Sequence, residues 1–130
     1  MKLTMIKTST ALAAILAVLV TSLPVADANA ASIRVKCETR ANQSKVSVDG
    51  NNLAAGNYVA KIISGSHTKK SPSKHTVGDE VEFDFDSDPG NVAAGATRIG
   101  RNFIQGQVTG QLINEQGFTV AQATRACRSR

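Results

Sequence analysis

Polar and apolar positions alternate along much of this chain, and the sharpest run lies at Asp79 to Gly95. Val81, Phe83 and Phe85 fall on one parity, and Glu80, Glu82, Asp84, Asp86 and Asp88 on the other. A period of two places one face against a core and the other in water, which predicts a half-buried strand. Asp88-Pro89-Gly90 should end it, because proline cannot donate to a ladder and glycine tolerates the turn. Ser32 to Thr39 repeats the pattern, with Ile33, Val35 and Cys37 inward and Arg34, Lys36 and Glu38 outward.

Between these two runs the periodicity predicts a short strand at Lys45 to Asp49, closed by a turn at Asp49-Gly50-Asn51-Asn52. Another strand is predicted at Asn57 to Ser64. Its alternation is poor, since Val59 and Ile63 share a face with Lys61. Gly65 to Thr76 has the composition of a loop, rich in Ser, Lys and His. Asn91 to Arg101 is consistent with a crossing loop or with one helical turn around Val92 to Ala96.

From Asn102 to Ala126 the pattern predicts a long hairpin that turns at Asn114-Glu115-Gln116-Gly117. Gly106 and Gly110 in its first arm point to a bulge or a close approach. Phe118 and Val120 have the opposite parity to Cys127, so a bulge is expected between them if all three face inward. These elements amount to six strands and a seventh short one, with almost no helix signal. The fold class they predict is all-β, a single antiparallel β-sandwich of immunoglobulin-like size. A small open barrel is the alternative.

The first 30 residues follow a different pattern. Lys2 and Lys7 precede an apolar run, Ala11 to Val20, that is too short to span a bilayer, and Ala28-Asn29-Ala30 supplies small residues at the cleavage positions. This predicts a cleaved signal peptide over 1–30 and a single domain over 31–130, periplasmic or secreted, with no membrane span after cleavage. Without Lys2, Lys7 and Asp27 the chain keeps 13 of its 15 basic and 9 of its 10 acidic residues, a net charge of +4. In an exported chain the two cysteines, Cys37 and Cys127, are expected to form one largely buried disulfide joining the first strand to the last.

Candidate chemistry is sparse. Asp84-x-Asp86-x-Asp88 resembles the opening of a calcium loop, but the glycine and glutamate that such a loop needs at positions six and twelve are Pro89 and Gly95 here. Alternate carboxylates on a strand stand about 7 Å apart, so only the turn, with Asp86, Asp88 and Asn91, could wrap an ion. The simpler reading is a solvated acidic face. Arg34, Lys36, Lys45, Lys61, Arg98 and Arg101 are the bases available to flank it, and at least two of them are expected to do so.

A second candidate patch joins Glu80, Glu82 and Asp84 with His67, Lys69, Lys70 and Lys74, as a surface for a protein or envelope partner. No aromatics interleave with those lysines, which argues against nucleic acid. No GxSxG, HExxH or phosphate-cradling loop occurs. The functional expectation is therefore a small exported non-enzymatic interaction or structural module without a cofactor. A weak calcium-binding protein is the second reading and a small hydrolase the third.

Overall fold

The computed structural model describes residues 30–130. The predicted signal peptide lies outside the described residues except for Ala30. The six expected strands are all present: β1 (Ser32–Arg40), β2 (Gln43–Asn51), β3 (Asn57–Ser64), β6 (Val81–Asp86), β8 (Gln107–Ile113) and β9 (Thr119–Ala126). Short strands complete the set: β4 (His67–Lys70), β5 (Lys74–His75), β7 (Thr97–Arg98) and β10 (Arg128–Ser129). Among the described residues one helix, α1, spans Pro89–Ala93.

The strands form two sheets. The front sheet runs β10-β1-β2-β6-β7 and the back sheet β4-β3-β8-β9, with β5 also pairing β3. This is the all-β sandwich predicted, tied by the Cys37–Cys127 disulfide. All pairings among the six long strands are antiparallel, while β10 joins β1 and β7 joins β6 in parallel. The β6-α1-β7 connection is thus a very small parallel crossover, in the stretch where the sequence pattern left loop and helix open.

Several boundaries differ from expectation. β2 begins at Gln43 and ends at Asn51, because the β1–β2 turn needs only Ala41 and Asn42. Asp49 and Gly50 therefore lie inside the strand, paired with Glu82 and Val81, and the left-handed turn residue is Asn52 (φ 58°). The segment expected to be a loop, Gly65 to Thr76, instead hairpins back along β3 as β4 and β5. Gly65 (φ 58°) and Ser66 form the two-residue turn, with glycine at the position that needs positive φ. Pro72 interrupts this edge, and Ser71 bridges the gap: its N–H donates to the Ala60 carbonyl, and its Oγ accepts from the Ala60 N–H.

The inward faces supply a core of mostly branched aliphatics, with Val35, Val46, Val48, Ile62, Phe85, Val108 and Leu112 essentially sealed from solvent. On β3 the buried parity is Tyr58, Ala60, Ile62 and Ser64, which leaves Lys61 on the half-exposed face. Phe118 does not join the core and is 68% exposed at the hairpin tip. The bulge explains this: Leu112 faces Ala121 and Ile113 faces Thr119, so Val120 is the extra residue and parity changes there.

Two glycines set how closely the sheets approach. A Cβ on Gly110 of the back sheet would lie 2.7 Å from Cγ2 of Val35 and 3.3 Å from Cγ2 of Val48. A Cβ on Gly50 of the front sheet would meet Cδ1 of Leu112 at 2.5 Å and Cδ1 of Leu53 at 3.0 Å. Each sheet thus offers a gap that the other fills. The close approach foreseen at Gly110 comes from the opposite sheet rather than from a neighbouring strand. Val35 and Val48 are β-branched and stiff, so they cannot swing aside. We expect Gly110→Ala to destabilise the protein by about 1–3 kcal/mol through overpacking, measured by urea unfolding. An unchanged or higher midpoint would contradict the contact.

Candidate functional site

The outward face of the front sheet carries charge in cross-strand rows. Arg34, Asp49 and Glu82 form one row, and Lys36, Ser47 and Asp84 the next; Glu38, Lys45, Asp86 and Arg98 form the third. The first two rows therefore grade from basic on β1 to acidic on β6, while the third alternates in sign. The expected flanking bases are in register at one place only, where Lys45 and Arg98 lie either side of Asp86. Asp84 accepts a hydrogen bond from Ser47 Oγ at 3.1 Å. Glu82 directly faces another carboxylate, Asp49. Burial is the main influence raising the Asp49 pKa above its ordinary value; Glu82 and Asp84 add to it, against Lys36 and Arg34.

Asp86 departs from the alternation. Its position is on the outward parity, yet it is only 2% exposed. Oδ1 accepts from Gln43 Nε2 and from the Asp88 N–H, each at 2.9 Å, and Oδ2 accepts from Asn91 Nδ2 at 2.9 Å. Burial pushes its pKa up, but the Asp88, Gln43 and Asn91 hydrogen bonds, with Lys45 nearby, outweigh it and hold the pKa below the usual value. Asp88 caps α1 by accepting from the Asn91 N–H at 3.2 Å. The three residues foreseen as calcium ligands do come together, but as a capped turn in which protein donors occupy both Asp86 oxygens and Asn91 presents its amide nitrogen. Among the described residues no group of three or more His, Cys, Asp or Glu side chains stands ready to hold a metal ion.

The patch expected to unite Glu80, Glu82, Asp84, His67, Lys69, Lys70 and Lys74 is divided. His67, Lys69 and Lys70 lie on edge strand β4 of the back sheet, where lysines discourage further strand pairing. Glu82 and Asp84 lie on the front sheet, with Glu80 just ahead of β6. Lys74 alone bridges the two sheets: from β5 its Nζ donates to the Glu82 carbonyl at 2.7 Å and lies 5.6 Å from the centroid of the Phe83 ring. Both histidines are engaged at Nδ1, His67 with the Phe103 carbonyl at 2.8 Å and His75 with Asn57 Oδ1 at 3.0 Å. Among the described residues neither makes a hydrogen bond to a serine or a carboxylate.

The densest charge joins three bases expected to flank the acidic strand with three arginines that the sequence pattern does not single out. β1 contributes Arg34 and Lys36, β2 contributes Lys45, and the chain end contributes Arg125, Arg128 and Arg130; these six cations line one open groove of about 760 Å³. Among the described residues Glu38 is the sole acid lining it, and it is already paired with Arg40 at 3.1 Å and Arg130 at 3.3 Å. The other five cations form no ion pair among the described residues.

The disulfide assembles this groove. Cys37 and Cys127 stand 4.8 Å apart at Cα, Glu38 and Arg128 are in parallel register, and the Arg130 N–H donates to the Thr39 carbonyl. Cys37 is buried and Cys127 half-buried, so the bridge is covered on its β1 side only. A signal for the groove was present. Once the cysteines are joined, the bases one and three residues before Cys37 must meet those around Cys127.

The fold and site define a disulfide-tied β-sandwich with a basic groove along its seam. Comparison with known proteins finds no match: no family model, no curated protein and no solved structure matches this chain.

Two pH effects follow from the carboxylates. The pKa of Asp86 is depressed on folding, so its stabilisation is present above the ordinary carboxylate value of 3.8 and is lost as pH falls through the lower folded value. Asp86→Ala should cost about 1–3 kcal/mol at neutral pH, because three donors lose their acceptor. It should also flatten the acid limb of the stability profile. Asp49 has the opposite sign: its raised pKa makes the ionised form unfavourable in the fold, and acidification through that value relieves it. Asp49→Asn should raise stability by about 0.2–1 kcal/mol at neutral pH. Thermal melts of both variants from pH 3 to 7 check both signs.

Proposed function

We propose that this chain is an exported, non-enzymatic interaction module that engages an anionic partner at the cell envelope or exterior through the basic groove at its disulfide seam. The observation that carries the reading is the concentration of Arg34, Lys36, Lys45, Arg125, Arg128 and Arg130 around a single, already paired carboxylate. Like charges brought this close repel one another, and an anion lying among them relieves that repulsion. Four of the six are arginines, whose planar forks suit phosphate, sulfate or carboxylate oxygens. Among the described residues the groove is lined by no aromatic side chain on which a base or sugar ring could stack.

Export is part of the same proposal. It draws support from the basic, apolar and small-residue pattern of residues 1–30 and from a disulfide suited to an oxidising compartment. Among the described residues no helix is long and apolar enough to cross a membrane.

Retention on an immobilised sulfated polysaccharide, followed across a salt gradient, tests the binding. The protein should be held at about 0.15 M salt and released as salt rises, since each displaced counterion adds to the salt slope. Replacing Arg34, Arg125 and Arg128 with Gln should bring elution to clearly lower salt. The Lys61, Lys69 and Lys70 triple Gln variant, which removes the same charge elsewhere, should elute close to the parent. Equal shifts for the two variants would reduce the effect to net charge and end the assignment to the groove.

A further inference from the structure

A second concavity of about 950 Å³ lies at one end of the sandwich, separate in its lining from the basic groove. It is bounded by the β1–β2 turn, edge strand β4, the start of α1 and the segment Arg98–Phe103. Its walls are held by main-chain and hydroxyl contacts. Ser44 Oγ donates to the Arg101 carbonyl at 2.6 Å, the Ile99 N–H to the Asp86 carbonyl at 3.0 Å, and the Phe103 N–H to the Gly100 carbonyl at 3.1 Å. The cleft is thus built on fixed backbone rather than on a free loop.

Its chemistry is mixed in a directed way. Pro89 and the His67 ring provide flat or apolar surface, and the His67 ring is backed by buried Phe103, the two rings 5.6 Å apart and tilted by 40°. Lys69, Arg98 and Arg101 bring positive charge against one acid, Asp88, and Asp88 already caps α1. His67 is oriented by Nδ1, which must carry a proton to donate to the Phe103 carbonyl, so Nε2 is the ring nitrogen left for a ligand. A concave site with an apolar lining and a few convergent polar groups is the usual form of a small-molecule site.

We propose that this cleft binds a small organic anion with a flat ring, its anionic oxygens held by Arg98 and Arg101 and its ring against His67 and Pro89. A fully hydrophilic anion leaves the ring surface unused, and a neutral ring leaves the guanidinium groups unpaired. The site is therefore selective for the combination.

Amide chemical shifts of the isotopically labelled protein, titrated with 2-naphthoate, test this. Saturable shifts are expected at residues 67–69 and 98–103, and weaker, non-saturating ones with 2-naphthalenemethanol or inorganic phosphate. The Arg98→Gln/Arg101→Gln variant should keep the parent's spectral dispersion and bind naphthoate about tenfold more weakly. Equal binding of the neutral alcohol or of phosphate would overturn the proposal. So would undiminished affinity in the double variant, or shifts centred on Arg34 and Arg125 instead.

Discussion

The Cys37–Cys127 bond is the constraint on which both the ends of the fold and its groove depend. β10 pairs with β1 through only two residues, Glu38 with Arg128 and Thr39 with Ser129. A ladder so short does little by itself against the conformational entropy of β10, which is about 1–2 kcal/mol for each backbone residue fixed. The disulfide, closing a separation of 90 residues, removes about 4–5 kcal/mol of chain entropy from the unfolded ensemble in the loop-closure account. That is a large share of the roughly 5–15 kcal/mol typical of a domain. Because the bond pins Arg128 beside Glu38, the charge cluster is a tertiary consequence of an oxidised pair.

Between the sheets, close contact is obtained with few large side chains. Phe83, Phe85, Tyr58 and Phe103 are the aromatics buried in the core, and valine does most of the filling. Gly50 and Gly110 let Leu112 and Val35 enter the opposite sheet, so the layers interlock instead of merely facing one another. On the outside of the front sheet, Asp86 does comparable work with polar groups. Its carboxylate draws the β1–β2 hairpin through Gln43, the Asp88 turn and α1 through Asn91 into one hydrogen-bonded knot. Lys74 ties the back sheet to β6 at the open side of the sandwich.

The long strands were legible because their alternation is strong, and burial confirms the inward parity of Val35, Val46, Phe83 and Phe85. What misled was punctuation with two physical meanings. Gly50 follows an aspartate and precedes two asparagines, which is turn chemistry, yet its role is to admit Leu112. The Lys-, Ser- and His-rich composition after Gly65 is that of a loop, but it equally suits a guarded edge strand, and the Gly65-Ser66 pair was the hairpin signal. Asp86 was assigned to water by parity alone, since no local pattern announces that a carboxylate will be enclosed by Gln43, 43 residues away. The basic groove was hidden for a related reason. Its two halves lie far apart in the sequence, and the disulfide, the short β1–β10 ladder and the packing of β9 bring them together.

The rows of charge on the front sheet have a consequence at distances well beyond contact. Arg34 and Lys36 on β1, with the arginines of the chain end, stand on one side of a face whose other side carries Glu82 and Asp84. Such a separation is an electric dipole lying across the sheet. In the field of a charged surface it exerts a torque on the whole domain as well as a pull. Taken alone, these rows favour an approach with the disulfide seam toward negative charge and the acidic strand away from it. Orientation is selected within about a Debye length, roughly 8 Å at physiological ionic strength, before any side chain touches its target.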